Sequence, residues 1–222
     1  MSDFEPRLDV LPGPQRRLLP ELSCVPPQFV LYGGTALALR LGHRQSVDFD
    51  FFSSAPFEPA ALQAALGWQG IVEVLQFQPN TLTIAVHREE VVKVSFFGGL
   101  SFGRVGTPDC ALPGSIRVAS MLDLAATKLK VVQERAESRD YVDVFHLIRA
   151  GVPLAQGLGA AQSLYGELFN PMITLKALGY FGDGDLPKLP EEVKEFLSEQ
   201  ACRVTAIPSI QRLSDRIAPE AL

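Results

Sequence analysis

The apolar positions of this chain fall into short β-branched and aromatic runs in its first half and into helical spacing in its second. Phe29-Val30-Leu31-Tyr32 reads as a buried strand that leads into Gly33-Gly34. Residues 35–41 are good helix formers and stop at Gly42. A second run, Val47-Asp48-Phe49-Asp50-Phe51-Phe52, reads as a strand, and Ser53-Ser54-Ala55-Pro56 breaks it. Residues 59–66 predict a helix with Pro59 in its first turn. Strands are expected over 71–77, 81–87 and 90–97, turning at Pro79-Asn80 and Arg88-Glu89. Such a meander makes at least part of the sheet antiparallel.

Residues 100–114 carry Gly103, Gly106, Pro108, Pro113 and Gly114 and read as loop. Beyond them the period is helical. Ser120 is a candidate N-cap for a helix over 121–135, with Asp123 where a capping box places its acid. Further helices are expected over 139–150, 154–169, 171–180, 191–203 and 208–217. Residues 1–28 are proline-rich, with a short helix near 15–22. The expected layout is a lead-in over 1–28, a mixed-sheet core over 29–112 and a helical domain over 113–222, an α+β class.

Composition narrows the function classes. The chain has 222 residues, 47% of them hydrophobic, enough for a sizeable core. No apolar run approaches the roughly 20 residues that span a bilayer, and the first residues lack the apolar core of a signal peptide. No membrane association is expected, and the expected location is cytoplasmic. Cys24, Cys110 and Cys202 stand in no metal-ligand spacing and read as reduced structural thiols. The net charge of −5 argues against a nucleic-acid coat protein but leaves room for a local basic groove.

The candidate chemistry begins at Asp48 and Asp50. Side chains alternate along a strand, so both carboxylates project from one face, with Val47, Phe49 and Phe51 on the other. Two carboxylates about 5 Å apart repel by about 3 kcal/mol at an effective dielectric near 20. A hard divalent cation such as Mg2+ or Mn2+ would neutralise them. Arg44 and Ser46 stand beside the pair, and Arg44 can bind a phosphate or a carboxylate. A second such spacing, Asp183-Gly184-Asp185, lies in a Gly-rich turn and reads as local loop chemistry.

Gly33-Gly34-Thr35 lies between a strand and a helix. Glycine lets the backbone approach a ligand, and a helix start offers unpaired N–H groups and partial positive charge to a phosphate. Thr35 can cap the helix or touch a phosphate oxygen. The element is neither a P-loop nor a dinucleotide fingerprint. Its weight comes from the short distance in sequence to Asp48.

The stretch from Gly33 to Phe52, with Gly-Gly-Thr at a helix start and then Arg44-Gln45-Ser46-Val47-Asp48-Phe49-Asp50, resembles the first motif of the AbiEii/AbiGii-type nucleotidyltransferase toxins. That family belongs to the DNA polymerase β-like nucleotidyltransferase superfamily. Asp123-Leu124-Ala125-Ala126-Thr127-Lys128-Leu129, Arg135 and Arg139-Asp140-Tyr141-Val142-Asp143-Val144 resemble its later motifs, which hold a functional lysine and a functional aspartate. The resemblance implies a polymerase β-like fold and Mg2+ on Asp48 and Asp50. It implies an NTP substrate held by Gly33, Gly34, Thr35, Arg44, Ser46 and Lys93, with Lys128 and Asp143 also catalytic. It further implies an RNA acceptor, tRNA among the candidates, or a protein acceptor, and a cognate antitoxin as partner. Residues 151–222 carry no motif of this kind.

If one helix continued from Lys128 to Asp143, Arg135, Arg139 and Asp143 would lie within about 60° of Lys128, and Asp140, about 120° from it, would lie off that face. Lys128 would then face the nucleotide's phosphates, with Asp140 structural. The pattern departs from the superfamily at one place. A third carboxylate is expected on the strand over 90–97, two residues after Lys93, and Ser95 stands there. Serine is no general base near neutral pH without help. The competing expectation is therefore a catalytically weak or inactive nucleotide-binding or partner-binding module of the same fold.

Overall fold

The computed structural model describes residues 3–68, 70, 72–111 and 116–219. It forms two compact units, Met1–Ser120 with Ser214–Leu222, and Met121–Leu213.

The first unit is built on one mixed sheet. Its strands are β1 (Asp3–Phe4), β2 (Val30–Tyr32), β3 (Asp48–Phe52), β4 (Val72–Gln78), β5 (Thr81–Arg88), β6 (Glu90–Phe97), β7 (Asp109–Ala111) and β8 (Ile116–Val118). Their order across the sheet is β1-β7-β8-β2-β3-β6-β5-β4. The expected meander is present, with β4, β5 and β6 antiparallel in turn. The sheet is mixed because β3 runs parallel to β6 and β2 runs parallel to β8. Asn80 and Glu89 take positive φ at the two hairpin turns, the conformation a tight reversal needs. The helices are α1 (Gly13–Leu18), α2 (Gly33–Leu41) and α3 (Pro59–Leu66).

Aromatic residues fill one face of the sheet. Phe49 and Phe51 are fully buried, and Phe51 stacks on Phe96 with centroids 5.3 Å apart. Phe29 meets Phe96 edge to face at 5.2 Å. Burying each such ring stabilises the fold by roughly 1.5–3 kcal/mol. Helix α2 closes at Gly42, whose φ of 65° lets its N–H donate to the Ala38 carbonyl at 2.8 Å. The largely buried Arg40 fixes α2 to the sheet, pairing with Asp109 at 2.9 Å and donating to the Ala119 carbonyl at 2.9 Å.

Several expectations are corrected. Val47 lies before the strand and is 52% exposed, so it is not part of the apolar face. Strands β1 and β7 occupy stretches read as lead-in and loop, and β8 was not expected. Ile71, Pro113 and Gly114 lie outside the described residues. No helix forms over 208–217. Residues 214–219 instead join the first unit: Arg104 bridges Ser214, and the buried Ile217 donates its N–H to Ser54 Oγ at 2.8 Å.

The second unit is helical, with α4 (Met121–Val132), α5 (Ser138–Arg149), α6 (Leu154–Tyr165), α7 (Pro171–Ala177) and α8 (Glu191–Arg203). Asp185 begins α5 from outside, its carboxylate accepting the Ser138 N–H and hydroxyl at 2.6 Å each. Those bonds hold the Asp185 carboxyl below its ordinary range. The second acidic pair is thus helix-start chemistry on the Asp185 side. No helix among the described residues is long and apolar enough to cross a membrane.

Candidate active site

Strand β3 presents Asp48 and Asp50 on one face, both part-exposed, while Phe49 and Phe51 between and beyond them are buried. The alternation follows from strand geometry, and the apolar side anchors the acidic one. Sheet register then gives each carboxylate its neighbours. Asp48 stands beside Lys93 of β6, and Lys93 stands beside Ala85 of β5. Asp50 lies between Tyr32 of β2 and Ser95 of β6, and Ser95 lies beside Thr83 of β5. Ser95 and Thr83 are both buried. The row through Asp50 therefore reads Tyr32, Asp50, Ser95, Thr83. Among the described residues no group of three or more His, Cys, Asp or Glu side chains is placed to hold a metal ion.

Lys93 Nζ lies 3.1 Å from Asp48 Oδ2. Both side chains reach solvent, 44% and 34% exposed, so the pair adds little to stability. Its local effect is to put a positive charge on one oxygen of the acidic pair.

The glycine turn abuts the other carboxylate. Gly33 has φ of 73°, a left-handed conformation that favours glycine. A Cβ built there would stand 2.9 Å from Asp50 Oδ2. One at Gly34 would stand 2.5 Å from Arg44 Nη2 and 3.3 Å from Ser46 Oγ. The two glycines thus keep open the space where the start of α2 meets Asp50, Arg44 and Ser46. Thr35 does not cap α2 with its side chain. It is buried, lies 2.8 Å from Ser46 Oγ and donates to the Asp48 carbonyl oxygen. Gln15 of α1, also buried, donates to the Val47 carbonyl at 2.9 Å. The backbone entering the acidic strand is therefore held from two helices. Gln15 lies in the proline-rich lead-in, and nothing in its local sequence marks it.

Gly33→Ala tests the turn. The methyl group adds about 1–2 kcal/mol of backbone strain and crowds Asp50. We expect a destabilised protein in urea melts.

The second unit carries its own charged cluster. Helix α4 ends at Val132 and α5 begins at Ser138, so the single continuous helix does not exist. Arg139 is not on the shared face; it pairs with Glu137 at 2.6 Å, exposed. Lys128 is buried, with Nζ 2.7 Å from Asp140 Oδ1 and 2.6 Å from Asp143 Oδ2. Arg135 Nε donates to Asp140 Oδ2 at 2.7 Å. Both carboxylates are fully buried. Asp140, expected off the functional face, is the residue that joins Lys128 to Arg135.

Burial pushes the Asp140 carboxyl up, but the Arg135 hydrogen bond and the Lys128 charge outweigh it and leave it below its ordinary value of 3.8. The same bond holds Arg135 above its ordinary value. A carboxyl depressed in the folded state contributes stability above the unfolded value and loses it as pH falls through the folded one. Urea melts should therefore show this contribution intact above about pH 4 and declining at lower pH. Asp140→Asn should flatten that decline.

With this geometry in place, the comparisons with known proteins define the class. The fold is that of nucleotidyltransferase toxins. MenT4, a nucleotidyltransferase toxin of Mycobacterium tuberculosis H37Rv, superposes with a TM-score of 0.60 at 18% identity, over 86% of this chain and 82% of that one. A candidate nucleotidyltransferase of H. pylori superposes with a TM-score of 0.54 at 17% identity, over 84% and 89%. The sequence matches the family model "Nucleotidyl transferase AbiEii toxin, Type IV TA system" over residues 17–205, and the chain belongs to that family. An uncharacterized protein of Aquifex aeolicus (strain VF5) is 29% identical over 181 residues, 78% of this chain and 85% of its own.

Proposed function

We propose that the protein transfers a nucleoside monophosphate from an NTP to an acceptor hydroxyl, with a divalent cation, Mg2+ or Mn2+, held by Asp48 and Asp50. One observation carries this reading: the glycine turn at the start of α2 lies directly against the acidic pair, with Gly33 leaving the space beside Asp50 Oδ2 that a Cβ would fill. The donor set suits a hard cation, since both side chains offer carboxylate oxygens from one strand face. When bound, the cation supplies charge neutralisation at the transferred phosphoryl group.

The residues of the chain do the rest. The backbone N–H groups of Gly34 and Thr35 open α2 and offer donors to phosphate oxygens. Arg44, packed over Gly34, adds a guanidinium suited to bidentate phosphate contact. Ser46 adds a hydroxyl on the same turn, and Lys93 a second cation on the strand beside Asp48. Thr35 and Gln15 hold the backbone at Asp48 and Val47, which fixes where the first carboxylate points. Lys128 and Asp143 enter on the family resemblance. An ammonium has three N–H donors, and Asp140 and Asp143 take two of those of Lys128. RNA, tRNA included, or protein supplies the acceptor in this reading, and a cognate antitoxin is the expected partner.

A second reading is favoured by Ser95. With a hydroxyl beside Asp50, the site lacks an evident base for the attacking hydroxyl, and the protein would bind nucleotide without transferring it. Incubation with each labelled NTP, bulk RNA and protein separates the two. Label on an acceptor, lost in Asp50→Asn, supports transfer. Metal-dependent NTP binding with no label moved from any of the four NTPs supports the binding module.

A further inference from the structure

A side-chain cation already stands against one member of the acidic pair. Lys93 Nζ sits 3.1 Å from Asp48 Oδ2, on the strand that runs parallel to β3 and in direct register with Asp48. Ser95, the next residue on the same face of β6, brings no charge to Asp50. At Asp48 the formal charge of −1 is met by the +1 of Lys93. Two-metal sites set their ions about 3.5–4 Å apart and need carboxylates enough to hold both. Here one carboxylate oxygen is already engaged by an ammonium, and the strand position next to the other aspartate holds a hydroxyl.

We propose that Lys93 is a built-in cation of this site, so that Asp48 and Asp50 take one divalent ion, not two, and Lys93 competes with it for Asp48. The inference rests on the metal reading above and deepens it. An ion bonded to both aspartates would lie within a few ångströms of the ammonium, and like charges at that separation repel. Lys93 therefore weakens binding of the free metal. Its side chain is 44% exposed, so it can move aside as a metal binds.

The test is Mn2+ alone titrated into the full chain, followed by calorimetry and by the loss of free-Mn2+ paramagnetic signal. Wild type should bind one Mn2+ per chain, and Asp48→Ala should lose it. Lys93→Gln should bind Mn2+ about tenfold more tightly, as expected for removing one nearby like charge. Lys93→Arg, which keeps the charge, should stay within about twofold of wild type on the same argument. Two Mn2+ ions per wild-type chain, both lost in Asp48→Ala, would overturn the inference and leave the metal reading standing. So would one ion whose affinity is unchanged by Lys93→Gln. No Mn2+ bound by wild type or by Lys93→Gln would overturn both.

Discussion

Replacing Asp50 by Asn should cut nucleotidyl transfer by about a thousandfold or more while leaving the protein folded. The figure follows from several kcal/mol of metal-borne charge stabilisation at about 1.4 kcal/mol per tenfold. Asp50 is the carboxylate that meets the glycine turn, and its sheet neighbours are Tyr32 and Ser95. No acid stands in that row to take its place. The substitution keeps the shape of the side chain and removes the charge, so urea melts should shift by no more than about 0.5 kcal/mol. Transfer of label from each NTP, measured for variant and wild type at equal folded fraction, checks the result. Activity within tenfold of wild type would place the metal elsewhere.

The second large effect concerns stability. Asp140→Ala should cost about 3–5 kcal/mol, the range for breaking a buried ion pair by removing one partner. Asp140 is fully buried and takes charge from both Lys128 and Arg135. Its loss leaves the buried Lys128 on Asp143 alone among the carboxylates that hold it. Arg139→Ala is the control, since its pair with Glu137 is exposed and worth less than about 1 kcal/mol. Chemical denaturation of the two variants should separate them clearly. Equal, small shifts would mean that the cluster is not what joins α4 to α5.

What could be read from the residues depended on whether the signal was local. Strands β3, β5 and β6 are rich in aromatic or β-branched residues, and their positions agree with the expected runs to within a residue. Helices α3 and α8 begin and end where proline and the periodicity place them. The short strands β1, β7 and β8 were not legible, because their pairing is decided far away in sequence. Asp3 pairs with Cys110, and Val30 with Arg117, and two or three residues carry no period of their own. The failed helix over 208–217 shows the opposite error. Ile210, Leu213 and Ile217 have helical spacing, but tertiary contacts override it. The Pro208 carbonyl packs where Gly159 lacks a Cβ, and the Ile217 N–H is taken by Ser54.

The site divides along the same line. Asp48 and Asp50 sharing a face is a consequence of strand period, and Gly33 at positive φ is a consequence of a tight strand-to-helix turn. Sheet register adds what period cannot: Lys93 beside Asp48 and Ser95 beside Asp50. The position of Asp140 required knowing that the chain turns between Val132 and Ser138. A periodicity run through that break gives the wrong face.

The central claim is that Asp48, Asp50 and the Gly33-Gly34 turn form one metal-dependent nucleotide site. Isothermal calorimetry of each NTP against wild type and Asp48→Ala, with and without Mg2+, tests it most directly. NTP binding should require Mg2+ in wild type and be lost in Asp48→Ala. NTP binding that is indifferent to Mg2+ and unchanged in that variant would contradict it.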